Sequence, residues 1–272
     1  MKGNPILGTG SGSIGDVTVM RRNGSQVTRV RLRKIKNPMS QGQAEQRMYM
    51  APILKFYSPL SKVLETSFEG LNKADSYAKF ISVNANLARA NGWAVKKGSG
   101  LIVLPYKIAG GTLPTPYVGD NGLKIGENEN TPTTWGQIST ILKNYYGLED
   151  GDQVTFISFA EEDEQTFMKN KRFFIDSTNS DSLTTLGLTA DSSSVEMRVF
   201  PNGQSNFACA IIFSRWSPTN EKWLRSDSYM TVSRSYLANY TGAEKLAAAI
   251  ASYMKSAGQT PVSDVYLNGS DD

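Results

Sequence analysis

The chain has 272 residues, a net charge of +4, and 39% hydrophobic against 20% charged residues, enough to bury a core without any apolar run near the roughly 20 residues that span a bilayer. It contains no histidine and one cysteine, Cys209, which excludes an intramolecular disulfide and a structural zinc site made from this chain alone, and removes the usual proton shuttle and nucleophile–histidine pairs. The charge is uneven: within the first forty residues Lys2, Arg21, Arg22, Arg29, Arg31, Arg33, Lys34 and Lys36 oppose only Asp16, giving +7 there and −3 over the remaining 232 residues.

In chain order, Met1 to Gly8 has a lysine but no following apolar run of about 7 to 15 residues, so no secretory signal is expected and the chain reads as soluble. Gly8-Thr9-Gly10-Ser11-Gly12-Ser13-Ile14-Gly15 reads as a flexible lead-in. It lacks the Gly-Lys-Ser/Thr ending of a phosphate-binding loop. Residues 16–22 and 25–31 flank Asn23-Gly24, the pair that best tolerates a two-residue type I′ turn, and predict a β-hairpin. Its register follows: Arg22 opposite Ser25, Met20 opposite Val27, Val17 opposite Val30, and Asp16 opposite Arg31. Continued alternation puts Arg29, Arg31 and Arg33 on one face and Val30 and Leu32 on the other.

Asn37-Pro38-Met39-Ser40 breaks the strand, and Ser40 is a candidate helix N-cap. Met48, Met50, Ile53, Leu54, Tyr57, Leu60, Val63, Leu64 and Phe68 recur at helical spacing, with Pro52 and Pro59 expected to kink or divide the helix. A second helix is expected over 75–91, presenting Tyr77, Phe80, Ile81, Asn84, Leu87 and Ala88 on one face and stopping at Gly92. Leu101 to Leu104 reads as a short strand, and the Gly- and Pro-rich stretch 110–130 as a boundary between units.

Downstream, Thr134-x-x-Gln137 is a capping box opening a short helix with Ile138, Ile141, Leu142 and Tyr145 on one side. Strands follow over 153–159, 171–176, 195–200, 207–216 and 222–232, the last three expected as an antiparallel meander. Thr241-x-x-Glu244 caps a final amphipathic helix ending at Gly258, before a polar tail. The expected fold is α+β: a basic β-hairpin arm (1–40), a helical unit (41–109), a linker (110–130), and an antiparallel sheet packed with two helices (131–272).

No constellation supplies chemistry. Glu161-Glu162-Asp163-Glu164 places adjacent carboxylates that point different ways, as in a solvated loop, and Glu149-Asp150-Gly151-Asp152 lacks the alternation and distal glutamate of an EF-hand. Cys209, within Phe207 to Phe213, reads as a buried hydrophobe. Ser214-Arg215-Trp216 and Trp223-Leu224-Arg225-Ser226 flank one turn. Arginine over tryptophan there stabilises a hairpin by about 0.5 to 1 kcal/mol, or stacks on a base or partner. No catalytic, cofactor-binding or metal residue is assigned. The contact residues expected are Arg21, Arg22, Arg29, Arg31, Arg33, Lys34 and Lys36, facing protein or phosphate backbone. The arm has no aromatic residue to stack on bases, and its apolar edge of Val17, Val19, Val30 and Leu32 calls for a protein surface.

Residues 19–30, Asn37-Pro38-Met39-Ser40 and Gln43-Ala44-Glu45-Gln46-Arg47 resemble the opening of uncharacterised proteins of tailed phages of gut Bacteroidota, including crAss-like phages, and of related host genomes. Residues 104–114, Ile211 to Trp216 and Lys222 to Ser226 are similar to the same family, in which Thr is common where Ser40 stands. The resemblance implies a non-enzymatic virion structural protein of the tail or head–tail region. Such a protein is made in the bacterial host cytoplasm and resides in the virion, assembling as a homo-oligomer with other virion proteins, with no cofactor and no membrane. The alternative is a nucleic-acid-binding or packaging protein using the same arm.

Overall fold

The computed structural model describes residues 12–14, 16–22, 25–30, 41–90, 103–119, 122–162, 165–200 and 206–238. The chain divides into two compact units, Met1–Ala44 and Glu45–Asp272. Its class is α+β, combining helices with antiparallel sheets.

The first unit contains a three-stranded antiparallel sheet, β1 (Gly12–Ile14), β2 (Val17–Arg22) and β3 (Ser25–Val30), in that spatial order. The β2–β3 register is the one expected from the Asn-Gly turn, with Arg22 opposite Ser25, Met20 opposite Val27 and Val17 opposite Val30. The expected Asp16–Arg31 pair lies outside the described residues. Gly12–Ile14 is strand rather than free lead-in, because it pairs along β2 with Gly12 opposite Val19 and Ile14 opposite Val17.

The second unit is organised around one central sheet in the order β11 (Lys222–Arg225), β10 (Ala208–Ser217), β6 (Gln153–Glu162) and β7 (Gln165–Phe174), with β13 (Thr231–Val232) also on β10. Strands of this sheet alternate their side chains between two faces, and both faces are buried. Ile157, Phe159, Ala208, Ala210 and Ile212 face one core; Val154, Phe156, Phe173, Cys209, Ile211 and Phe213 face the other.

Helices α1 (Gln41–Leu64) and α2 (Lys73–Ala90) contribute to the first core. Ile53, Phe56, Tyr57, Leu60 and Leu64 recur on one stripe of α1, and all are buried. Phe56 joins helix to sheet, its ring 4.7 Å from that of Tyr106 and 5.7 Å from that of Phe159. The helical region and the sheet therefore share a core within one unit, a correction to the separate unit expected over 41–109. Pro52 and Pro59 leave α1 as one helix, and the buried stripe holds the same register on both sides of Pro59. Ser40 lies outside the described residues. The α2 N-terminus is capped by Asn72, whose Oδ1 accepts from the Asp75 N–H at 3.0 Å.

The second core is covered by α3 (Trp135–Tyr146) and by a small sheet in the order β5 (Leu123–Lys124), β9 (Ser194–Met197), β8 (Leu188–Ala190). The Thr134/Gln137 capping box is present, and Gly147 closes α3 in the left-handed conformation at φ 66°. Residues 110–130 are no linker: Leu113, Val118, Leu123 and Ile125 are buried in this core. The Tyr146 hydroxyl donates to the Lys124 carbonyl (2.6 Å) and accepts from the Tyr117 N–H (3.1 Å), tying the stretch to α3.

The expected meander is also corrected. β10 pairs with β11 on one side but with β6 on the other, while β9 belongs to the small sheet. Asn206 explains part of this: its side-chain amide donates to Met197 O and Glu196 Oε1, both at 2.7 Å, tying the residues just before β10 to the end of β9 without strand pairing. The segment expected as one strand over 222–232 forms β11, β12 (Ser228–Tyr229) and β13. β12 pairs with β4 (Lys107–Ala109), whereas Val103 and Leu104 are buried outside any strand. Two short helices, α4 (Leu183–Leu186) and α5 (Arg234–Ala238), complete the described elements. The helix expected from Thr241 to Gly258 and the polar tail lie outside them.

Candidate functional site

The N-terminal sheet separates two chemistries by its pleat. Cross-strand partners share a face, so Val17, Val19, Thr28 and Val30 form one side, and Ser13, Thr18, Met20, Val27 and Arg29 the other. The first side is the apolar edge expected from the sequence, without Leu32, which lies outside the described residues. Val19, in the central strand, is buried, whereas Val17 and Val30 are 38% and 71% exposed. Among the described residues β3 has a neighbour only on its β2 side, so it is an edge strand.

Of the seven expected contact residues, Arg29 is exposed on the face opposite Val30. Arg21 and Arg22 are in β2, and Arg31, Arg33, Lys34 and Lys36 lie outside the described residues. The geometry thus supplies a strand edge with one apolar and one partly cationic face. Such an edge can add to a neighbouring sheet through its backbone, while the exposed valines select an apolar surface.

In the second unit, the polar clusters singled out in the sequence are absorbed by the fold. Asp152 is buried and accepts from Arg215, which also reaches Glu149 at 2.7 Å and the Gly147 carbonyl at 3.0 Å. Glu161 and Glu162 end β6, and Asp163 and Glu164 lie outside the described residues. Trp216 pairs across the hairpin with Trp223, ring centroids 5.5 Å apart, and Arg225 lies 5.3 Å from the Trp223 ring. Arg225 is buried and donates from Nε to Thr66 O at 2.9 Å and from Nη2 to Thr66 Oγ1 at 3.0 Å. Burial, with Arg172 nearby, brings its guanidinium down to about 10. This cluster works as hairpin and helix-junction packing. Cys209 is buried, as expected for a small hydrophobe.

A groove of about 920 Å³ runs beside α2 and β4, with Phe68 and Val83 among its apolar lining and Glu69, Lys79, Lys107 and Asp227 as its charges. Three of these four charges are held in ion pairs. Lys107 pairs with Asp227 at 2.5 Å and Glu69 with Lys222 at 3.0 Å. Burial pushes the Glu69 carboxyl up, but hydrogen bonds from Lys222, Thr112 and the Arg225 backbone outweigh it and leave it below the ordinary glutamate value. Gly111 allows the backbone crossing at the groove's end, because a Cβ there would collide with the Arg225 carbonyl oxygen. No group of three or more Cys, Asp or Glu side chains suited to a metal ion occurs among the described residues. None of the described helices is long and apolar enough to cross a membrane.

Residues 9–96 match the model of a family of unknown function, DUF6266. The matched stretch takes in the N-terminal sheet, α1 and α2. No curated protein and no solved structure significantly matches the chain.

Sequence reasoning missed three features: the third strand β1, the Arg215–Asp152 pair, and the hydrogen bonds by which the Asn84 side chain on α2 holds the backbone of Lys107 on β4. For β1 the signal was a Ser-Ile step with strand propensity inside a glycine-rich run. The two pairings join positions 63 and 23 residues apart, and no local pattern announces them.

Proposed function

We propose that this protein is a non-enzymatic assembly component, of the virion-structural kind implied by the resemblance to phage proteins, and that copies join through the N-terminal sheet. The observation that carries the proposal is the β3 edge, with Val30 71% exposed beside Val17 on its apolar face. An isolated edge of this kind is a template for pairing, and a symmetric assembly satisfies both its backbone groups and its valines. Other virion proteins are the remaining partners in this reading.

A second reading, nucleic-acid binding or packaging through phosphate contacts, is favoured by Arg29, exposed on the opposite face, and by the local charge of +7. Light scattering of the full chain and of the Val17→Lys/Val30→Lys variant, together with DNA binding across salt concentrations, separates the two. Loss of the oligomer in the variant with DNA binding unchanged or absent supports assembly through this face. An unchanged oligomer overturns it, and salt-dependent DNA binding abolished by Arg29→Gln favours the second reading.

A further inference from the structure

A second cationic feature lies far along the chain, where β7 meets α4 and β8. Lys169 and Lys171 are two residues apart on β7 and therefore share a face, Lys169 opposite Ser158 and Lys171 opposite Phe156 of β6. That face leads into the second core through Phe173, whose ring centroid is 5.1 Å from Lys171 Nζ. The opposite wall is α4, Gly187 and β8, and the two walls enclose a cavity of about 270 Å³ that also receives Arg198.

The cations are held by neutral groups. Lys169 Nζ donates to the Arg198 carbonyl and Lys171 Nζ to the Leu186 carbonyl, each at 3.2 Å. Each ammonium has three donors, so these bonds fix the heads against the wall and leave donors for the cavity. Among the described residues no carboxylate lies within ion-pair distance of either lysine. Arg198 donates weakly from Nε to Thr189 Oγ1 at 3.5 Å and faces Glu196 at 3.6 Å, while Glu196 also accepts from Asn206 at 2.7 Å.

Gly187 is part of the construction. It has φ +74°, and a Cβ there would lie 3.2 Å from Lys169 Nζ, crowding the ammonium. The hydroxyl-bearing residues Thr184 and Thr185 line the same cavity. Three cations against the one carboxylate of Glu196 leave a local charge of +2.

We propose that this cavity binds the phosphate group of a phosphate monoester. Such a group carries about −1.5 to −2 near neutral pH and offers three acceptor oxygens, matching the net charge and the several donors on two walls. A carboxylate would compensate about half that charge. Duplex phosphates carry one charge each on a convex surface, which suits a recessed cavity of this size poorly.

The test uses the full-length chain, titrated with inorganic phosphate, AMP and an oligothymidylate lacking terminal phosphates, and followed by amide chemical shifts and calorimetry. The expected result is AMP binding at about 1 mM or tighter. Shift changes should concentrate at 184–189 and Arg198, and Lys169→Gln/Lys171→Gln should weaken binding about tenfold or more. Lys55→Gln, which removes the same charge from an exposed site on α1, should leave binding unchanged. Absence of AMP binding, shifts elsewhere, or equal loss in Lys55→Gln overturns the proposal. Equal binding of the oligothymidylate overturns the monoester assignment. If the double variant does not fold, the wild-type shift map decides alone. Because the readout lies at 184–189, its failure is independent of the fate of the N-terminal assembly reading.

Discussion

Arg215 grips Asp152 with two nitrogens, Nε at 2.9 Å from Oδ1 and Nη2 at 2.6 Å from Oδ2, across 63 residues of sequence. The Asp152 side chain is 4% exposed and that of Arg215 24%. The hydrogen bonds it donates to Asp152 are the main reason the guanidinium is held above its ordinary value. The pair joins the strand end of β10 to the turn that leads from α3 into β6.

Breaking it leaves a buried charge without its counterpart. Arg215→Gln, which strands the buried Asp152 carboxylate, is expected to cost about 2 to 4 kcal/mol in urea unfolding. Glu149→Gln, at a carboxylate whose side chain is 71% exposed, is expected to cost about 0.5 kcal/mol or less. Equal effects would show that the bidentate geometry is irrelevant.

Asn84 brackets the junction of α2 and β4. Its Nδ2 donates to the Phe80 and Lys107 carbonyls, and its Oδ1 accepts from the Lys107 N–H, all at 2.9 Å. Asn84→Ala orphans strand groups at a buried site and should destabilise by about 2 to 3 kcal/mol, read from the denaturant midpoint.

Tyr106 is fully buried in the aromatic cluster, and its hydroxyl has no hydrogen-bond partner among the described residues. Burial alone raises its ionisation above the ordinary tyrosine value. Tyr106→Phe keeps the ring contacts and removes the unsatisfied oxygen, so the melting temperature should rise, with a gain of about 1 kcal/mol. A loss of stability would reveal a partner for that hydroxyl.

The Asp191 carboxyl responds to pH. Burial pushes it up, but the N–H and hydroxyl groups of Ser193 and Ser194 outweigh that and bring it down to about 2. A carboxylate depressed in the folded state contributes stability above its unfolded value of about 4 and loses it as pH falls toward 2. The advantage of wild type over Asp191→Asn in urea midpoint should therefore be full at about pH 5 and shrink by about pH 3. A difference that grows on acidification would refute this account.

Features carried by neighbouring residues were legible in the sequence. Asn23-Gly24 predicts the β2–β3 register because Asn-Gly favours a two-residue hairpin loop, and Thr134-x-x-Gln137 marks the α3 start because both side chains reach backbone groups within one turn. The α1 stripe from Ile53 to Leu64 likewise predicts a buried helical face.

Sheet order, the fate of 110–130 and the cavity of Lys169, Lys171 and Arg198 were decided only by tertiary structure. β10 carries apolar residues on both faces, a pattern compatible with several neighbours, and only packing of α1 and α2 on one side and α3 on the other selects β6. Gly- and Pro-rich composition marks turns but not whether Leu113, Val118 and Leu123 between them are buried. The sequence by itself determined the local elements and the charge of the arm, because those depend on contacts a few residues apart. Which charges converge and which strands pair depend on contacts tens of residues apart, formed only when the central sheet buries both its faces.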